Sequence, residues 1–194
     1  AITCSGAGDI NMTASGAVAA YCQFGIRISA DVTTNGGDIT LDGTCDYSGN
    51  SSAALQIDST AEVSTTGSGN ISFTGTNNRN DGHTSNQQDG IYLAGCTIQT
   101  ADGNITMVGQ GGSNDGGYDT GITISNGIVQ TTGSGSGAYI DLTGTGGGGA
   151  NTYHIGVRGV DATIRTGSGT GAGPITIVGT GGGSASYEYG VHMT

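Results

Sequence analysis

Lysine and tryptophan do not occur in this 194-residue chain, proline occurs once, at Pro174, and phenylalanine only twice. Without lysine, the fixed positive charges are four arginines, Arg27, Arg79, Arg158 and Arg165, against 15 acidic residues, for a formal net charge of −11. A surface this acidic repels phosphate backbones and anionic lipids, so neither nucleic acid nor a membrane surface is an expected partner. No apolar run approaches the ~20 residues of a membrane-spanning helix, and no membrane insertion is expected. Helical periodicity is missing throughout. Glycine supplies 41 residues but follows no strict third-residue period, which excludes collagen. Apolar residues recur at regular places and charge is sparse, which excludes plain disorder.

What is present is a repeat. The segments Gly8–Ser15, Gly37–Thr44, Gly69–Thr76, Gly103–Gln110, Ala138–Thr145 and Gly173–Thr180 align without gaps. Their third position is Ile10, Ile39, Ile71, Ile105, Ile140 and Ile175. Their fifth is Met12, Leu41, Phe73, Met107, Leu142 and Ile177, with small polar residues between. Alternation of this kind describes a strand with one buried face. A second column runs through Ile26 and Ile28, Leu55 and Ile57, Ile91 and Leu93, Ile122 and Ile124, Val157, and Val191 and Met193. A third holds Ile2, Val32, Val63, Ile98, Val129 and Ile164.

Three short strands per ~30–35 residues, with like side chains at like positions, predict an all-β fold: a parallel β-helix solenoid of about six coils. It forms a single domain over 1–194, with coils at 1–30, 31–61, 62–96, 97–127, 128–162 and 163–194. A sandwich would not need the same side chain at one position of every repeat. Glycine is expected at the corners, where positive φ is required. The segments between the second and third strands vary most in length, at 16–24, 45–53, 77–89, 111–120, 146–155 and 181–189, and should leave the solenoid along one edge.

The first strand begins at residue 2 and the last ends at residue 193, which leaves no capping element over either mouth. The expected exposed ladder ends are Ile2, Ile10, Met12, Ile26 and Ile28 at the bottom, and Ile164, Ile175, Ile177, Val191 and Met193 at the top. Uncovered strand edges template further pairing, and a top-to-bottom contact between copies does not close. The expected partner is therefore the protein itself, as a head-to-tail homopolymer.

Tyr118, Tyr153 and Tyr187 each stand three residues before the glycine that opens the third strand, and should stack along one edge as a ligand or lateral-contact row. Cys22 and Cys45 fall in the inserts of neighbouring coils, close enough for a disulfide. Cys4 and Cys96 lie three coils apart, ~14 Å, too far for one. That leaves Cys4 to pair with Cys22, to stay free, or to join another subunit. Four cysteines and a first residue other than Met suit an oxidising compartment and a removed leader, so a secreted, extracellular or cell-surface protein is expected.

His83, His154 and His192 lie in different coils with no Ser/His/Asp grouping, and no Cys/His spacing suggests zinc. No cofactor, metal or enzymatic activity is expected. Asp9 should lie beneath Asp38, but stacked like charges suit a cation better than acid–base work. An outward threonine row, Thr40, Thr106 and Thr176, is interrupted by Asn11, Ser72 and Asp141, which weakens an ice-binding reading.

The run Thr66–Thr76 and the Gly90-Ile91-Tyr92-Leu93 segment resemble the β-strand repeats of large microbial surface adhesins of the filamentous-haemagglutinin-like type. The resemblance implies a secreted, right-handed parallel β-helix with an adhesive or matrix role, and surface glycans or other matrix proteins as partners. This chain is far shorter than those exoproteins, which favours a small subunit that gains length by assembly. The alternative is an adhesin segment that binds glycan or protein on its insert face.

Overall fold

The computed structural model describes residues 1–16, 23–46, 51–78, 87–113, 118–134, 137–149, 153–167, 172–184 and 186–194. Among them there is no helix and there are 18 strands, sorted into three parallel six-stranded sheets. Sheet 1 contains β1 (Ile2–Cys4), β4 (Val32–Thr34), β7 (Glu62–Thr65), β10 (Thr97–Thr100), β13 (Ile128–Thr131) and β16 (Thr163–Arg165). Sheet 2 contains β2 (Ile10–Gly16), β5 (Ile39–Cys45), β8 (Ile71–Asn77), β11 (Ile105–Gln110), β14 (Ile140–Thr145) and β17 (Ile175–Thr180). Sheet 3 contains β3 (Phe24–Ile28), β6 (Ser51–Ile57), β9 (Gln87–Ala94), β12 (Ile122–Ser125), β15 (Val157–Val160) and β18 (Val191–Met193). Every third strand pairs, so the chain winds as a β-solenoid with three strands per coil and six rungs in each sheet.

The register is the one the columns predict. Ile10, Ile39, Ile71, Ile105, Ile140 and Ile175 pair in succession. So do Ile2, Val32, Val63, Ile98, Val129 and Ile164. These side chains point inward with those of sheet 3 and make one continuous apolar core in which Phe73, Ile105 and Leu142 have no exposed surface. Burying each such side chain contributes about 1.5–3 kcal/mol, which drives the stacking.

Two corner rows complete each rung by hydrogen bonding. One is an inward threonine row at the end of sheet 1: the Thr34, Thr100 and Thr166 hydroxyls donate to the carbonyls of Gly37, Gly103 and Gly173. The other precedes sheet 2. The Asp9 carboxylate accepts from the Asp38 N–H at 2.9 Å, Asp38 from the Asn70 N–H at 2.7 Å, Asn70 from the Asn104 N–H at 2.9 Å, and Asn104 from the Tyr139 N–H at 3.1 Å. Asp9 does lie beneath Asp38, but its oxygen is taken by backbone, so a cation is not needed to explain the pairing. Tyr139 cannot act as such an acceptor, and the residue above it is Pro174, which has no N–H to satisfy.

Glycine plays the expected part at some corners and a second part along the rungs. Positive φ at glycine is confined to Gly36, Gly67, Gly95, Gly137 and Gly183 among the described residues. The regular glycine columns lie where sheet 2 meets sheet 3: Gly75, Gly109, Gly144 and Gly179, inside the sheet 2 strands, face Gly90, Gly121, Gly156 and Gly190, within or just before the sheet 3 strands, and Gly43 faces Ala54. Here the two sheets touch backbone to backbone. A Cβ on Gly109 would collide with the Gly121 carbonyl oxygen, and one on Gly144 with that of Gly156. Nothing larger than a methyl group, at Ala14 and Ala54, stands in these columns, so the cross-section is pinched into a wide apolar lobe and a narrow second lobe.

Candidate functional site

Among the described residues, side chains gather in distinctive ways at the mouths of the solenoid, the tyrosine edge, the narrow lobe and the outer face of sheet 3. At the mouths, Ile2 is 48% exposed, Ile175 42%, Val191 42% and Met193 44%, while Ile10, Met12, Ile164 and Ile177 are half-buried. Ile26 and Ile28, expected at the bottom opening, are buried at 6% and 7%. The correction has a geometric cause. A solenoid climbs as it winds, so β1 is the lowest strand of the first coil and β3 the highest, with the side chains of β1 and β2 beneath it. At the top the order reverses: β16 is lowest and β18 most open. Each mouth is therefore a ramp with a step, and among the described residues nothing covers either one.

The tyrosine edge forms as expected. Tyr118 and Tyr153 stack at 4.8 Å and 10°, Tyr153 and Tyr187 at 5.0 Å and 9°. All three adopt positive φ, 68°, 75° and 69°, a conformation that costs a non-glycine residue about 1–2 kcal/mol. The repeated strain turns each ring out of the strand line and onto its neighbour. Face-to-face stacking covers the ring faces inside the row and leaves one free at its Tyr187 end. Row and strain together were half legible: the spacing was visible, the backbone conformation was not.

The narrow lobe holds buried polar groups that the spacing of residues did not reveal. The Ser52 hydroxyl donates to the Gln88 carbonyl oxygen, and the Asn77 amide donates to Ser52 at 3.0 Å and to the Asp89 backbone oxygen at 3.4 Å. Further up, His154 Nδ1 lies 3.4 Å from Asp119 Oδ2, with both side chains fully buried. A His/Asp pair thus exists although the two residues belong to different coils. Stacking brings together positions that are 35 residues apart, a period longer than a local motif can show. Cys45 is fully buried in this lobe, and Cys22, its expected disulfide partner, lies outside the described residues, as does His83. Cys96, in the apolar lobe, is also buried, and that burial pushes its thiol up to about 12. Among the described residues no group of three His, Cys, Asp or Glu side chains could hold a metal ion.

On the outer face of sheet 3 the pinch produces a concave strip. Phe24, Ala53 and Asp89 follow one another along its floor. Arg27, Gln56, Tyr92, Thr123, Arg158 and His192 follow one another along one wall. The Arg158 guanidinium reaches 5.5 Å from the Tyr118 ring, so the tyrosine row is the opposite wall. Asp89 is 1% exposed, and this burial raises its carboxyl to about 7, against hydrogen bonds from Gln87 and Thr123 and the pull of Arg158. Lower down, Asp58 accepts from Arg27 at 2.8 Å, Ser29 at 2.6 Å and Gln56 at 2.6 Å; partial burial raises its carboxyl, but these bonds outweigh it and the net shift is downward.

No family model, curated protein or solved structure matches this chain.

Proposed function

We propose that the protein is a non-catalytic structural subunit of an extracellular filament or matrix fibre, built by stacking the top rung of one copy on the bottom rung of the next. The observation that carries this reading is the likeness of the two mouths. The columns that end in Ile164, Ile175, Ile177 and Val191 begin in Ile2, Ile10, Met12 and Ile26, so each apolar ladder would run on across the junction. Gly179 would meet Ala14 and Thr166 would meet Cys4, small against small and corner against corner. The stepped ramps allow one angular setting, which makes the joint a screw rather than a loose disc contact. Free strand edges would gain hydrogen bonds in all three sheets at once. The tyrosine edge in this reading serves lateral contact between fibres, and the resemblance to surface-adhesin repeats supports an exterior location.

Val191→Asp tests the joint. It places a carboxylate on the open end of a ladder without touching the five rungs below. Purified variant should stay monomeric with an unchanged far-ultraviolet β signature, where the parent forms fibres. Fibres of parental length from the variant would refute this contact.

A further inference from the structure

The outer strip of sheet 3 contains a cleft on the side of the solenoid, reaching from the first rung to the third. It opens above Ala53, has a volume of about 130 Å³, and is lined by Gln23, Phe24, Gln56, Gln87, Asp89 and Tyr92. The cause is a break in the floor row. Phe24 in the first rung and Asp89 in the third are large, and Ala53 between them is not, so the floor drops for a span of two rungs, roughly 10 Å.

The polar atoms here are held in place. Gln87 donates an amide hydrogen to Asp89 at 2.7 Å and Gln56 donates one to Asp58 at 2.6 Å. Each bond fixes its amide plane and leaves a carbonyl oxygen as an oriented acceptor. The Asp89 carboxyl is buried behind them, and Tyr92 lines the same cleft. The site is thus rich in acceptors and has an aromatic ring, Phe24, at its lower end. Charge decides the class of ligand. The Arg27 guanidinium, 5.1 Å from the Phe24 ring, is paired with Asp58 at 2.8 Å, and the Asp89 carboxyl lies in the field of Arg158, so the charges around the cleft are already matched and a cationic guest would find no carboxylate without a guanidinium beside it. An anionic guest would meet Asp89. A neutral guest with several O–H donors and an apolar C–H face fits both the acceptors and the ring.

The geometry points to the Ala53 cleft as a binding site for a neutral sugar residue, one monosaccharide unit of a glycan that runs along the side of the solenoid. Gln56 and Gln87 accept from its hydroxyls, with Asp89 holding the Gln87 amide in place, and Phe24 and Tyr92 pack on its carbon face. Phe24 belongs to the bottom rung, but Ala53, Gln87 and Asp89 lie in the second and third, so the cleft opens on the side of the solenoid and not into its mouth.

Isothermal titration of the full chain against neutral hexoses and N-acetylhexosamines tests the assignment, with a uronic acid and an aliphatic diamine as charged comparators. At least one neutral sugar should bind, and both charged probes should bind at least tenfold more weakly. Ala53→Leu fills the cleft and should abolish the signal; Gln87→Ala, at a half-buried wall position, should weaken it at least tenfold while the far-ultraviolet β signature is retained. The second variant decides the matter if the first does not fold. Absence of heat with every neutral sugar, preference for a charged probe, or parental affinity in Gln87→Ala would overturn the assignment, whatever the outcome for fibres.

Discussion

The wide lobe and the narrow lobe of the solenoid are built on opposite principles. In the wide lobe, each rung contributes apolar side chains that pile on their own kind, Ile on Ile and Leu on Phe on Met. Beyond the glycine pinch the sheets are too close for such side chains, and the space is filled by Ser52, Asn77, Gln88, Asp119 and His154. The first lobe tolerates exchange among apolar residues of similar volume; the second depends on absent side chains and on particular hydrogen bonds. The difference shows that stacking energy and cross-section shape are set by separate residues in this fold.

The sharpest way to break that contrast is to thicken the pinch. Gly121→Ala puts a methyl group against the Gly156 carbonyl on one side and the Thr145 N–H on the other, and should cost about 5 kcal/mol or prevent folding. Gly6→Ala, where nothing lies within 4 Å, should leave the urea midpoint unchanged. Equal, small effects at both positions would mean that the sheets are not in contact there.

The next effect is electrostatic and belongs to the outer side of the pinch. The Asp89 carboxyl lies at about 7 in the folded protein against an ordinary 3.8. The folded state therefore holds this proton where the unfolded chain releases it. Stability from this group is complete below about pH 4 and declines until about pH 7, by up to about 4 kcal/mol. Asp89→Asn should remove that decline, so the parent and variant melting temperatures should diverge as pH rises, the variant being the more stable at pH 7. Parallel curves across this range would show that Asp89 titrates normally.

A smaller effect sharpens the comparison at the tyrosine edge. At Tyr153, with φ of 75°, glycine should be better tolerated than alanine by about 1 kcal/mol, the reverse of their usual order inside strands. Thermal melts of the two variants check this; alanine equal to or above glycine would mean that the left-handed conformation is not retained.

How much of this was readable beforehand follows the same division. Ile105, Leu142 and Val129 were assigned to the core from recurrence alone, because a solenoid writes its vertical contacts into the sequence as a period. The tyrosine row was found by the same means. Contacts across a rung leave no such trace. Gly109 meets Gly121 through the lack of a side chain on each, and a glycine column reads equally well as a turn. The ramp at each mouth, which buries Ile26 and Ile28, comes from the climb of the helix and not from residue type. Asp119 and His154 were hidden because they sit in segments of variable length, where the period is blurred.

The central claim is that this column of six rungs continues from one copy into the next. Electron micrographs of purified protein, with the diffraction of aligned material, test it directly. The account predicts unbranched fibres with a ~4.8 Å axial spacing and a subunit repeat of ~29 Å, six rungs with no gap at the joint. Discrete particles one subunit long, or fibres whose axial repeat exceeds six rungs by more than one spacing, would contradict it.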